Sequence, residues 1–154
     1  MRILSTTTLL CLTFFAQAQS WQQHVDYQIN ADMNVAKHQY HGTLRLAYTN
    51  NSPDTLYKAF WHLYFNAFQP GSMMDVRSRT IADPDPRVSD RISKLKPEEQ
   101  GWIKVNTLNH NGKSVKFLAN ETILEVTLSE AILPGATTIF EMDWDCLLYT
   151  SRCV

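Results

Sequence analysis

Residues 25–35 read Val-Asp-Tyr-Gln-Ile-Asn-Ala-Asp-Met-Asn-Val. Apolar side chains occupy every odd position from Val25 to Val35, and polar side chains occupy every even position between them. Successive side chains of a β-strand point to opposite faces of its sheet. Period-two alternation sustained over this length therefore predicts a long strand that is buried on one face only.

A second alternating stretch follows after a short turn at residues 37–39. The turn formers Asn50, Asn51, Ser52, Pro53 and Asp54 then end that stretch. The two stretches predict an antiparallel hairpin with a further turn behind it. The apolar or small residues of the second strand are Tyr40, Gly42, Leu44, Leu46 and Tyr48.

Residues 56–68 have no polar face. Their aromatic content favours a strand covered on both sides, although periodicity alone leaves a buried helix open. Because His62 lies inside this segment, we expect a satisfied core histidine rather than a metal ligand. The large apolar residues are Leu56, Tyr57, Phe60, Trp61, Leu63, Tyr64, Phe65 and Phe68.

Residues 69–100 interrupt the strand pattern. Pro70-Gly71, Asp83-Pro84-Asp85-Pro86 and Lys96-Pro97 break regular elements, and several arginines and lysines make the stretch locally basic. We predict one long irregular insertion, whose simplest interpretation is a solvated surface excursion, although loops of this length often carry function.

Strand signals resume at Trp102. Asn111-Gly112 is a strong hairpin signal, and alternation returns over residues 122–128 and 137–145. In total we predict about seven strands with short turns. The predicted fold is an all-β, antiparallel, saddle-like β-sandwich.

The N-terminus resembles a secretory signal. Arg2 precedes an apolar stretch that is too short to span a bilayer as an anchor, and Ala16-Gln17-Ala18 fits a cleavage site. We therefore predict a signal peptide at residues 1–18 and a domain at 19–145. The protein would be exported to the periplasm or the exterior, with no membrane span after cleavage.

The last nine residues, Cys-Leu-Leu-Tyr-Thr-Ser-Arg-Cys-Val at 146–154, match a translation of the transposase end sequence used in sequencing libraries. We predict that they are an adapter scar and that the natural protein continues past Asp145. A natural tail with two cysteines is the alternative. Because Cys11, Cys146 and Cys153 all lie outside 19–145, the domain would have no disulfide and no thiolate metal site.

Composition excludes several functions. With 14 Lys+Arg against 15 Asp+Glu, the chain lacks the basic excess typical of a nucleic-acid binder. The histidines include no His-Glu-x-x-His pair, and His38 and His41 fall on a predicted turn and strand that point them apart. We therefore predict no catalytic residue, no cofactor-binding residue and no metal ligand in this chain.

The order of these strands resembles the opening domain of the zinc aminopeptidases of the aminopeptidase N and leukotriene hydrolase kind, which are gluzincin metallopeptidases. Residues 61–74 are similar to secreted bacterial members in particular. The matching segments are 27–35, Tyr40-His41-Gly42-Thr43-Leu44, 61–74, 105–113, 124–128, 131–135 and 140–143.

The resemblance implies a saddle-shaped sandwich that precedes a catalytic domain. In the family that second domain carries the His-Glu-x-x-His pair and a distal Glu, which hold zinc and activate water against a peptide's N-terminal residue. This chain would thus be a truncated, inactive domain, with zinc and peptide substrate expected only in the full-length protein. We also expect Met73, Met74, Arg77 and Arg79 to contact the catalytic domain.

Two other functions stay open. The chain could be a stand-alone secreted β-sandwich that binds a glycan or a cell-surface partner through exposed aromatics such as Trp21 and Trp102. It could also be a docking domain of a larger envelope protein. Fold class does not decide among these.

Overall fold

The structure is a computed structural model that describes residues 21–82 and 85–148. It contains eight strands and one α-helix in these ranges, with short 3₁₀ turns at Tyr64–Phe68, Ile92–Lys94 and Pro97–Glu99. The elements are β1 (His24–Asn34), β2 (Gln39–Thr49), β3 (Leu56–His62), α1 (Met73–Thr80), β4 (Trp102–His110), β5 (Lys113–Ser114), β6 (Phe117–Asn120), β7 (Ile123–Ile132) and β8 (Thr137–Leu147).

The strands form two sheets, and every pairing is antiparallel. One sheet has the order β1-β2-β8-β4-β5, and the other has the order β3-β7-β6. Both sheets contribute to one apolar core, so the predicted all-β sandwich is confirmed. The core residues are Leu44, Leu46, Leu63, Val105, Leu108, Leu124, Val126, Ile132, Phe140 and Met142.

The predicted hairpins are present. β1 pairs with β2 over its full length, from His24 opposite Thr49 to Asn34 opposite Gln39. At the β4–β5 turn, Asn111 and Gly112 both adopt positive φ angles, 50° and 74°. Asn and Gly tolerate that conformation in two-residue hairpin turns, which is why the pair predicts them.

The predicted burial of β1 is wrong. All of its side chains are exposed, including the apolar series from Val25 to Met33. The physical reason is that β1 forms the edge of the five-stranded sheet, while the three-stranded sheet does not reach far enough to cover it. The strand itself was predictable, but whether another sheet packs on its apolar face was not.

Residues 56–68 also differ from the prediction of a strand covered on both sides. β3 ends at His62 and a 3₁₀ turn follows. Phe60 is exposed because it lies on the face of β3 that points away from the other sheet. Tyr57, beside an irregularity in the β3 pairing, and Tyr64, in the 3₁₀ turn, are exposed as well. His62 is likewise exposed and stacks on Tyr64 with ring centroids 5.2 Å apart, so it is not a core histidine.

The other differences concern the insertion and the chain's end. The 69–100 segment contains helix α1. The described residues form eight strands instead of about seven, because the two-residue strand β5 is separate from β6. β8 continues beyond Asp145, with Cys146 and Leu147 buried opposite Tyr40 and Gln39. Cys146 continues the series of buried side chains along β8, so it fits the core-facing side of the sheet whatever its origin.

Some predictions lie outside the described residues. The signal peptide at 1–18, residues Asp83 and Pro84, and the end of the chain from residue 149 onward are among them. Within the described ranges, no helix has the length and apolar character needed to cross a bilayer.

Candidate functional site

Helix α1 is held at its N-terminus by a dense polar network. Ser72 caps the helix, since its Oγ accepts from the backbone N–H of Asp75 at 3.2 Å. The Asp75 carboxylate accepts from the backbone N–H of Gly71 at 2.8 Å, and from Nε and Nη2 of Arg79, each at 3.0 Å. A fully buried acid therefore fixes both the turn before the helix and the arginine one turn later.

These contacts set the ionisation of Asp75. Burial by itself would raise the pKa of this carboxyl, but the Gly71 N–H and the Arg79 guanidinium together bring it below its ordinary value. The group is therefore a charged, hydrogen-bonded anchor at neutral pH. This geometry rigidifies α1 and is not that of a catalytic acid.

A cleft of about 700 Å³ opens between α1 and the β6–β7 turn. Met73, Met74, Arg77 and Ile81 form the helical wall, and residues 120–123 form the opposite wall. Met73 is 72% exposed although it is large and apolar. Because methionine adapts to irregular partners, a cleft lined by two of them is suited to contact with another protein surface.

The four residues predicted as interdomain contacts do not share one environment. Met73, Met74 and Arg77 line the cleft, and Arg77 forms no ion pair within the described residues. Arg79 instead pairs with Asp75 of its own helix. Sequence spacing alone could not separate the two arginines, because that requires knowing which helix face is buried.

A second polar group lies on the outer face of the five-stranded sheet. His41 Nδ1 is 2.9 Å from Oδ1 of Asp145, and its Nε2 is 3.5 Å from Oδ2 of Asp143. Asn106 donates to both carboxylates at 2.8 Å. The group joins β2, β8 and β4, and sequence analysis missed it because these strands are distant in sequence.

Hydrogen bonds and opposite charges hold this group together. The hydrogen bond to Asp145, followed by the charge of Asp143, raises the pKa of His41. The carboxylates bond to His41 and Asn106. Within residues 21–82 and 85–148, no group of three or more His, Cys, Asp and Glu is placed to hold a metal ion.

His110 is buried and structural. Its Nε2 lies 2.6 Å from Thr138 Oγ1, and its Nδ1 accepts from the backbone N–H of Ser129 at 3.2 Å. Burial lowers its pKa, which favours the neutral ring. It stacks on Phe140 with centroids 4.8 Å apart, so it fills the core beside the β4–β5 hairpin.

Comparisons with known proteins give a limited result. No family model matches the chain, and no curated protein matches it. Among solved structures, an M1 zinc metallopeptidase from Deinococcus radiodurans overlaps at a TM-score of 0.48 with 14% sequence identity, covering 79% of this chain and 20% of that one. A mutant of a two-domain M1 zinc metallopeptidase bound to L-tryptophan overlaps at a TM-score of 0.48 with 15% identity, covering 80% of this chain and 21% of that one.

The chain thus spans about a fifth of the length of these structures. Likeness at this level carries no argument about activity.

Proposed function

We propose that this chain is the non-catalytic N-terminal β-sandwich domain of an exported, zinc-dependent aminopeptidase. The longer protein would remove N-terminal residues from peptides in the periplasm or outside the cell. Residues 1–18 would direct export, and residues 146–154 would be foreign to the natural protein.

The observation that carries the proposal is the assembly of the segments that resemble this family. Residues 27–34 and 40–44 lie on β1 and β2, which pair along their whole length. Residues 105–110 lie on β4 and residues 140–143 on β8, which pair with each other, while β8 also pairs with β2. Four of the seven segments that resemble the family are therefore neighbours in one sheet.

Catalysis in this proposal belongs to a domain outside the chain. Zinc, its ligands and the general base would all lie there, and residues 21–82 and 85–148 would supply only a rigid support.

The α1 cleft is the proposed contact with that domain. Met73 and Met74 would pack against an apolar surface, and Arg77 would pair with a carboxylate that this chain does not supply. Arg79 would act indirectly, because its bond to Asp75 fixes the helix that presents the other three.

The test uses the protein encoded by the intact reading frame. It should contain zinc and cleave aminoacyl anilides until a chelator is added. Met74→Asp combined with Arg77→Ala should weaken domain association by about 2–5 kcal/mol, measured by differential scanning calorimetry of the two domains. Leu133→Asp is the matched control, because Leu133 is exposed on a turn that does not line the cleft. Wild-type association in the double variant would exclude this contact, and zinc-independent turnover would exclude the proposed function.

A further inference from the structure

One side of the sandwich is one strand short. The five-stranded sheet ends in β1 and the three-stranded sheet ends in β3 on this side, so within the described residues both strands have a free backbone edge. Between them lies a cleft of about 630 Å³, lined by Val25 and Tyr27 of β1, Leu46 of β2 and Trp61 of β3. A further strand beside β3 would fill this cleft and cover the apolar face of β1.

β1 has the properties that this vacant position requires. It is an extended strand with a free edge, and one of its faces is apolar throughout. Tyr27 is 61% exposed and Ile29 is 57% exposed, which is unusual for a strand of a folded domain. Long, apolar edge strands of this kind readily pair with another chain.

The charges on β1 and β3 distinguish two ways in which two copies of this chain could associate. If the β1 strands of two copies formed an antiparallel pair centred on Ile29, Asp26 of each strand would lie opposite Asp32 of the other. Like charges directly opposite each other are destabilising. The outward face of β3 instead carries Lys58 and His62. Lys58 already pairs with Glu125, but its side chain remains about half exposed. The acidic face of β1 therefore complements β3 better than it complements another β1.

We propose that two copies of this chain associate about a twofold axis parallel to the strands, with β1 of each copy bound to the free edge of β3 in the other. Each five-stranded sheet then continues into the partner's three-stranded sheet. The two apolar β1 faces stack on each other and close both clefts. Such an interface is self-complementary, as a twofold dimer requires.

The proposed dimer is independent of the aminopeptidase proposal, because it follows from the strand order, the exposure of β1 and the charges of β1 and β3. In a longer protein, a later strand of the same chain could compete for the same position, and that outcome would appear as a monomer.

The experiment is sedimentation equilibrium on the purified chain in reducing buffer, after its N-terminus has been identified by mass spectrometry. We expect a monomer–dimer equilibrium without larger species. Ile29→Lys should raise the dimer dissociation constant by about 100-fold, because the interface would bury an unpaired charge. Since Ile29 is exposed in the monomer, the variant should keep the far-ultraviolet circular dichroism of the wild type.

Two further variants locate the interface. Leu118→Lys is the matched control: Leu118 is 67% exposed on β6, at the opposite edge of the three-stranded sheet, so dimerisation should be unchanged. Lys58→Glu should weaken the dimer by about fivefold. Adding both Asp26→Lys and Asp32→Lys to the same chain should restore it, because the charges of β1 and β3 are then exchanged whichever acidic position lies opposite residue 58.

Three results would overturn the proposal. The first is a wild-type chain that stays monomeric at the highest concentration reached, and the second is open-ended association. The third is a dimer that responds equally to Ile29→Lys and Leu118→Lys, or does not respond to Lys58→Glu.

Discussion

Gly42 is the position where the sandwich should be least tolerant of a methyl group. It is buried in the middle of β2, directly opposite Trp144 of β8 and Ala31 of β1. A Cβ placed on Gly42 would lie 2.7 Å from Cε2 of Trp144, closer still to Cζ2, and 3.0 Å from the backbone oxygen of Asn30. Ordinary contact requires more than 3.4 Å, so Gly42→Ala must displace the indole ring or the neighbouring strand.

The expected magnitude combines two opposing effects. Overpacking a well-filled site costs about 1–3 kcal/mol. Replacing glycine by alanine inside a strand recovers about 0.5–1 kcal/mol, because the unfolded chain becomes less flexible. We therefore expect Gly42→Ala to lower the free energy of unfolding by about 1–2 kcal/mol.

The assay is urea unfolding followed by far-ultraviolet circular dichroism, which remains usable when a tryptophan is replaced. A double-mutant cycle with Trp144→Val isolates the clash. In the Trp144→Val background, Gly42→Ala should be neutral or stabilising by about 0.5 kcal/mol. If Gly42→Ala is as stable as the wild type, or loses the same stability in both backgrounds, the proposed contact with Trp144 is wrong.

Asp75→Asn should speed hydrogen exchange in α1 by at least about tenfold without affecting the sheets. Because the folded pKa of Asp75 lies below its ordinary value of 3.8, its contribution to stability is present above that pH and is lost as pH falls below it. His110 and His41 should have opposite linkage, measured as melting temperature between about pH 5 and 8. Since burial lowers the pKa of His110, its contribution to stability is full above its ordinary pKa of 6.5 and is lost as pH falls through the folded pKa. His110→Gln should therefore reduce the fall in melting temperature at acidic pH. Since Asp145 and Asp143 raise the pKa of His41, its contribution to stability is full below pH 6.5 and is lost as pH rises through the folded pKa. His41→Gln should therefore lower the melting temperature at acidic pH more than at alkaline pH. Burial raises the pKa of Cys146 to about 11, so iodoacetamide at about pH 8 should modify this thiol at least about 100-fold more slowly in the native protein than in urea, as mass spectrometry would show.

The strands were predictable because their signals are local. Alternation in residues 25–35 and the turn formers at 50–54 follow from backbone geometry, and neither requires knowledge of distant contacts. The Asn111-Gly112 turn is equally local, because these two residues accept positive φ angles at low cost.

Burial was not predictable because it depends on strand order. β8 inserts between β2 and β4, which leaves β1 at the edge of its sheet. No pattern within residues 25–35 reveals that the opposite sheet stops at β3. The burial of residues 56–68 also depends on other elements, because one face of β3 points away from the other sheet and leaves Phe60 exposed.

The helix in the insertion carried a signal that sequence analysis did not use. Ser72 followed by Asp75 is an N-capping pattern, and the structure shows the corresponding bond to the Asp75 N–H. Pro70-Gly71 obscured it by suggesting a loop. The separate roles of Arg77 and Arg79 depend on which face of α1 is buried, and the spacing of the two residues does not fix that.

The most direct test of the proposed function is the nucleotide sequence of the gene, read without interruption from the source material through the codon of Asp145. The account predicts that the reading frame continues past that codon with residues other than Cys-Leu-Leu-Tyr-Thr-Ser, and that it then encodes a His-Glu-x-x-His pair with a downstream Glu. A natural stop codon after Val154, or a long continuation without that pair, would contradict it.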